Sequence, residues 1–297
     1  MQLNVENLPE SVYVVLGDEN NTRLWEILQN KFSIKETAKK IGVSPRNLYK
    51  WKEGMANYPS FRLVKLLELA SLSIKKAGIK TSRDGGSIQV KFPIEFDEDM
   101  AELIGHVMGD GGIDHYGRVH YTTDSKLDVQ RFQKLVQKVF GKTKVEKRIQ
   151  ENKTTLYYPK ILGTLLSSIA GLDRGSKVIT NCKLSDKFIK QMSDEMKKRY
   201  LSALYECDGQ AERVSVVQAG CGIKEPPKRL IQMQDLLKDL GFKKTTLKSS
   251  SIYTTSSGTR RRWVLKIDGE EKEKFLDFAS KFSRKAYVLG LRIGRRA

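Results

Sequence analysis

Two nine-residue stretches, LIGHVMGDG (Leu103–Gly111) and LSALYECDG (Leu201–Gly209), decide how this chain is read. Each opens on leucine, carries small residues inside and closes on Asp-Gly. The two aspartates, Asp110 and Asp208, stand 98 residues apart. A glycine inside a helix costs about 1 kcal/mol against alanine, so Gly105 needs a packing reason. With Gly109, Ser202 and Ala203 it would let two helices approach closely. Aspartate is badly placed at a helix C-terminus, where the dipole repels negative charge. Close packing of the two helices would bring both acidic ends together and add mutual repulsion. Divalent cations would remove that conflict, and oxygen ligands suit Mg²⁺. Carboxylates sharing metal ions at a helix interface form a phosphodiester-cleaving arrangement. A lone Asp-Gly is commonly a turn with a solvated side chain; the pairing is what points elsewhere.

The surroundings of the motifs repeat as well. After the first come a strand near Val119–Thr122, a helix at Leu127–Phe140, strands near Thr143–Ile149 and Thr154–Tyr158, and a helix at Lys160–Ala170. After the second come a strand at Arg213–Gln218, a helix at Lys228–Leu240, strands at Thr245–Thr254 and Arg261–Ile267, and a helix at Glu270–Phe282. Each copy thus repeats one order of helices and strands, taken as an αββαββα unit with one strand of its first pair not located, and a repeat at a period too long for a solenoid predicts two fused copies of one half-domain. The fold class expected is therefore α+β.

The charge points the same way. The 297 residues hold 54 Lys and Arg against 35 Asp and Glu, a net charge of +19. Residues 1–95 hold 15 basic and 10 acidic residues, net +5, and the remainder carries +14. A chain this basic has the footprint of a nucleic-acid binder; a lysine-rich solvated surface is the plainer alternative. No run of about 18 apolar residues occurs, so no membrane span is expected. The N-terminus lacks a signal-peptide pattern. The three cysteines form no CxxC pair, which fits a reducing, cytoplasmic setting.

Near the N-terminus, SIKETAKKIGVSPRNLYKWKEG (Ser33–Gly54) predicts two short helices. Ser33 with Glu36 makes a capping box, Gly42 ends the first helix, and Ser44 with Pro45 starts the second. This resembles a helix-turn-helix of the phage-repressor kind, a small all-α unit. Its second helix would enter the major groove, with Arg46, Asn47, Lys50 and Lys52 facing DNA. Residues 76–95 look linker-like, combining Lys, glycines, Ser and Pro93 with one short strand-like run, Ser87–Phe92; the expected boundaries are 1–80 for the N-terminal unit, 81–95 for a linker, 96–192 for the first half and 193–297 for the second.

The paired nonapeptides resemble the LAGLIDADG motif. From about residue 96 onward the chain looks like a monomeric, two-motif LAGLIDADG homing endonuclease. That resemblance implies a pseudo-twofold core whose antiparallel sheets form a saddle in the major groove of double-stranded DNA. It implies Mg²⁺ or Mn²⁺ held by Asp110 and Asp208, with Gly109 and Cys207 before them, and a basic catalytic residue from a late strand, for which Lys266 is the match. Met108 stands where the family often has an acidic residue, and Ser202-Ala203 replaces Ala-Gly; neither is the ligand position. Glu206 keeps the second acidic residue of one motif and is expected to point elsewhere. The sheet residues expected on DNA are Arg118, His120, Lys144, Lys147, Arg148, Arg213, Lys248, Ser250, Arg260 and Arg262.

The function these features imply is metal-dependent, site-specific double-strand DNA cleavage by a free-standing monomer. A non-catalytic transcription regulator and an RNA-splicing maturase are alternatives on the same core; the survival of both aspartates argues against the regulator. The basic C-terminal stretch Ser283–Ala297 is expected to be either a DNA-backbone arm or a mobile tail. No phosphate-binding loop or serine-hydrolase elbow occurs.

Overall fold

The computed structural model describes residues 2–81, 88–210, 212–220, 222, 224–255 and 258–294. The chain is mixed α and β, with antiparallel sheets, and divides into two compact units. One comprises Met1–Phe96, Val136–Glu146 and Tyr158–Leu165; the other comprises Asp97–Leu135, Lys147–Tyr157 and Leu166–Ala297. Among the described residues no helix is long and apolar enough to cross a membrane.

In the first unit the capping chemistry takes hold as the residues dictate. Glu36 N donates to Ser33 Oγ (3.2 Å), and Ser33 N donates to the Glu36 carboxylate (2.8 Å), starting the helix Ile34–Ile41. Gly42, at φ 69°, ends it in the left-handed conformation. Ser44 caps the helix Pro45–Lys52. Ala38, Ile41, Leu48 and Trp51 are buried, packed with the helices Asp18–Lys31 and Ser60–Ala70. The Tyr58 hydroxyl accepts from Trp25 Nε1 at 2.8 Å, fixing the polar edge of this core.

This unit is not all-α, which corrects the expectation. Strands Tyr58–Pro59, Tyr13–Val15, Lys76–Lys80 and Ile88–Lys91 form an antiparallel sheet in that spatial order. The segment read as a linker, 81–95, therefore supplies Ile88–Lys91 to this sheet, and Ile94–Glu95 pairs with Gln2–Leu3; residues 82–87 lie outside the described part. Gly78 was misleading punctuation. A Cβ there would stand 3.1 Å from Val15 Cβ and from Gln89 Nε2, so the glycine serves close strand approach rather than a break.

The second unit holds both motif helices, Glu98–Met108 and Asp194–Asp208. Behind the first motif helix lies a sheet ordered Gly111–Ile113, Val119–Thr123, Lys153–Tyr157, Glu146–Gln150. Its short first strand, Gly111–Ile113, was not anticipated. Behind the second lies a sheet ordered Ser215–Ala219, Gly258–Ile267, Thr245–Thr255, with an isolated bridge from Gly209 to Val216 beside it. Aromatic pairs fill the layer between sheets and helices. Tyr121 stacks on Phe132 at 4.1 Å, and Tyr205 meets Phe275 edge-on at 5.3 Å.

Where described, the C-terminal stretch is a packed helix rather than a tail. Residues Arg284–Gly294 form a helix, capped by Ser283 Oγ on Ala286 N (3.1 Å), with Ala286 and Leu289 buried. Residues 295–297 lie outside the described part.

A buried carboxylate ties the two motif helices near their N-terminal turns. Glu102, on the first helix, accepts from Arg131 at 2.7 Å and from Arg199 of the second helix. Arg199 also lies over the Phe282 ring at 3.9 Å. Burial alone would raise the Glu102 carboxyl, but His106 and Arg131 beside it outweigh that and hold it at about 2. A depressed carboxylate contributes stability above its unfolded value, lost as pH falls through the folded one. Glu102→Gln is expected to cost about 3 kcal/mol at neutral pH, the order of a broken buried pair. The gap to wild type should narrow as pH drops from about 4.5 toward about 2. Urea unfolding of both proteins across that window checks it.

Candidate active site at the ends of the motif helices

The small residues of the two motifs meet one another. A Cβ placed on Gly105 would lie 2.6 Å from Ala203 Cβ and 2.8 Å from the Tyr200 carbonyl. A Cβ on Gly109 would lie 2.3 Å from Cys207 Cβ and 2.6 Å from its Sγ. Gly105 and Ala203 are separated by 98 residues in sequence, and so are Gly109 and Cys207. Each contact thus joins matching positions of the two motifs. Ser202 is fully buried and turns its hydroxyl back to the Lys198 carbonyl at 2.7 Å.

Asp110 and Asp208 come directly after this pair, one on each chain segment. Burial, and next the charge of Asp208, push the Asp110 carboxyl above its ordinary value; Lys285, a bond from Cys207 and Lys177 only partly oppose them. Asp208 is held in place: Gln218 Nε2 donates to its Oδ2 at 2.7 Å, and Arg229 Nη2 stands 3.9 Å from the same oxygen. Arg229 is itself buried. Its Nε donates to Gln218 Oε1 at 2.8 Å, and its Nη1 donates to the Met108 carbonyl.

The carbonyls at the two helix ends are taken by lysines. Lys177 Nζ donates to the carbonyls of Val107 (3.4 Å), Met108 (2.8 Å) and Gly109. Lys285 Nζ donates to the Cys207 carbonyl at 2.8 Å. Burial, then the neighbouring Arg229 charge, lower Lys177 to about 8 against the pull of Asp208, Cys207 and Asp110. Burial raises the Cys207 thiol well above its ordinary value, Asp110 adding to it. Beside Lys177 a cleft of 410 Å³ opens, lined by Gly109, Gly112, His120 and Arg229 among others.

Glu206 points away from the aspartates, as expected. Its Oε2 accepts from Ser283 Oγ (2.7 Å) and Lys285 N (3.0 Å), which fixes the start of the C-terminal helix. Lys266, in contrast, is not brought to the carboxylates. It closes an ion pair with Asp268, Nζ to Oδ1 at 2.5 Å. The residues that surround the aspartates, Lys177, Gln218, Arg229 and Lys285, were missed. They sit on a strand and at the starts of three helices with no shared spacing, and only the basic run Arg284–Lys285 carried any signal.

Among the described residues no group of three or more His, Cys, Asp or Glu side chains could hold a metal ion. The oxygen set here is two carboxylates with the backbone carbonyls of Gly109 and Cys207. Such hard oxygen donors fit Mg²⁺ or Mn²⁺.

The expected DNA-facing residues are distributed as follows. Arg46, Asn47 and Lys50 are exposed on the helix Pro45–Lys52, with Lys52 half-buried. Lys147 and Arg148 lie on the exposed edge strand Glu146–Gln150, and Lys144 just precedes it. Lys248 is exposed on Thr245–Thr255, and Ser250 falls in a register shift between Ser249 and Ile252. Arg260 and Arg262 lie on Gly258–Ile267, and Arg262 covers the Tyr253 ring at 5.0 Å. Arg213 precedes its strand and is exposed. Arg118 is bound to Asp114 (2.9 Å) and lies over Tyr157 at 4.8 Å. His120 is half-buried, and burial lowers its imidazole.

No family model matches the chain. Among curated proteins, the replication factor C small subunit of Methanocaldococcus jannaschii is 27% identical over 127 residues, 41% of this chain and 6% of that protein. The chain thus spans only a small part of that relative's length. Among solved structures, I-DmoI in complex with DNA and Ca covers 65% of this chain and 96% of its own at 18% identity, with a TM-score of 0.46. I-DmoI with DNA and Mn covers 61% and 96% at 19% identity and a TM-score of 0.42. Full-length DUF199/WhiA from Thermatoga maritima covers 67% and 61% at 14% identity and a TM-score of 0.38.

The glycine contacts are directly testable. Gly109→Ala forces a methyl onto Cys207, and overpacking of this kind typically costs about 1–3 kcal/mol. Chemical denaturation should show a loss in that range, and Gly109→Ala with Cys207→Gly should recover part of it. An unchanged unfolding midpoint in the single variant would contradict the close crossing.

Proposed function

We propose that this chain is a site-specific double-strand DNA endonuclease of the LAGLIDADG type, acting with Mg²⁺ or Mn²⁺. The observation that carries the reading is that matching small residues of the two motifs touch. Helices crossed in this way end side by side, and the residues that follow are Asp110 and Asp208. Two like charges placed there are a conflict that a divalent cation relieves.

In this reading the two halves are related by a pseudo-twofold axis through the crossing, so each aspartate serves one strand of a duplex that is itself roughly twofold. Bound between the carboxylates and the carbonyls of Gly109 and Cys207, the ions would supply Lewis-acid polarisation and a water of lowered pKa. The protein's own part is positional. Gln218 orients the Asp208 carboxylate, and Arg229 locks Gln218 while anchoring the end of the opposite helix. Glu206 sets the helix that carries Lys285.

Recognition falls to the sheets and the N-terminal helix pair. Lys147, Arg148, Lys248, Ser250, Arg260 and Arg262 lie on strands, and β-ribbons fit the major groove. Lys144 and Arg213 flank them. His120 lines the cleft beside Lys177, and Arg118 is bonded to Asp114 of the same lining. The helices Ile34–Ile41 and Pro45–Lys52 act as a helix-turn-helix, with Arg46 and Asn47 facing bases and Lys50 and Lys52 facing phosphates. Arg suits guanine and Asn suits adenine, each by a bidentate pair.

A cleavage selection on a randomised duplex library with Mg²⁺ tests the activity and yields the target. On that target, Asp110→Asn and Asp208→Asn should each lower double-strand cleavage by about 10³-fold, because several kcal/mol of charge stabilisation are removed at about 1.36 kcal/mol per decade. Binding should persist. Wild-type cutting of both strands by either variant would overturn the reading. Separately, Lys50→Ala with Lys52→Ala should flatten the salt dependence of binding by about 0.9 log units for each phosphate no longer neutralised. An unchanged slope would remove the N-terminal helix pair from the interface.

A further inference from the structure

A helix leaves its last four carbonyls without intrahelical partners, and basic side chains commonly take them. Here the carbonyls so taken are those of Gly109 and Cys207, which directly precede Asp110 and Asp208. One ammonium sits at each helix end. Lys177 reaches its carbonyls from the start of the short helix Lys177–Thr180. Lys285 reaches from the first turn of Arg284–Gly294, whose backbone is pinned to Glu206. With Arg229, three side-chain cations surround two carboxylates. The two carboxylates are thus already outnumbered by positive charge without any further ion.

A divalent ion would have to share these carbonyl oxygens with the ammonium groups. Mg²⁺ binds oxygen at about 2.1 Å, and the Lys285 ammonium already lies 2.8 Å from the Cys207 carbonyl. Two cations on one oxygen clash or repel strongly in a half-buried setting. A DNA phosphate is an alternative partner for a lysine ammonium.

Resting on the endonuclease reading, we infer that Lys177 and Lys285 are tethered competitors of the divalent ions: they fill both metal positions in the DNA-free protein and vacate them when duplex phosphates draw them away. Metal loading is thereby linked to DNA binding, and a DNA-free enzyme holds its metals weakly.

The test is Mn²⁺ binding to the full chain, followed by electron paramagnetic resonance or calorimetry. DNA-free wild type should bind Mn²⁺ weakly. The double variant Lys177→Met with Lys285→Met should bind at least about tenfold tighter, since two close positive charges are gone. Lys177→Gln with Lys285→Gln keeps a donor for each carbonyl but not the charge, so it should show the same gain if the Met pair unfolds; circular dichroism melting reports folding. A non-specific duplex should tighten Mn²⁺ binding to wild type and leave the lysine variants unchanged. Equal or weaker Mn²⁺ affinity in the folded variants would overturn the inference while leaving the endonuclease reading standing. Adding Asp110→Asn and Asp208→Asn to the lysine variants should abolish Mn²⁺ binding. Tight binding that survived them would place the metal elsewhere and overturn both.

Discussion

The close crossing of the two motif helices is the constraint on which the rest depends. It exists because Gly105 and Gly109 present no Cβ where Ala203, the Tyr200 carbonyl and Cys207 already stand. Helices bearing ordinary side chains keep axes about 8–10 Å apart; here the two glycines leave no Cβ to hold the backbones off. The crossing fixes two outcomes at once. Near the N-terminal turns, Glu102 can reach Arg199 of the other helix. At the C-terminal ends, two aspartates are held within each other's field. The first is an attraction and the second a repulsion, so the crossing stores at one end a conflict that the other end helps to hold.

Around that conflict the protein gathers cations rather than further acids. Arg229 is the most buried of them, bonded to Gln218 and to the Met108 carbonyl. Lys177 and Lys285 complete the set from separate chain segments. A site assembled this way is polar and half-buried, and its two carboxylates are outnumbered by cations before any ligand arrives. Glu206 contributes at one remove, by setting the backbone of Lys285.

Much of this was legible in the sequence, for identifiable reasons. The motif helices announced themselves by small residues and terminal Asp-Gly. The N-terminal helices were readable because caps are local: Ser33 with Glu36, and Ser44 with Pro45, are complete signals within four residues. What failed depended on distant partners. The strand Lys76–Lys80 resembled a linker because Gly78 is needed only by Val15 and Gln89 across the sheet. Lys266 was chosen for its strand position, but Asp268 captures it. Lys177 carries no local mark at all, because its importance comes from where the first motif helix ends. The C-terminal stretch looked like a tail by charge, while Ala286 and Leu289 made it a helix with a buried side.

The central claim is that Asp110 and Asp208 together hold the divalent cations. Anomalous diffraction from crystals of the protein bound to its selected duplex and soaked in Mn²⁺ tests it most directly. The account predicts Mn²⁺ density within about 2.2 Å of carboxylate oxygens of both aspartates, with the Lys177 and Lys285 ammonium groups displaced from the Gly109 and Cys207 carbonyls. Density bound away from the aspartates, with both lysines still seated on those carbonyls, would contradict it.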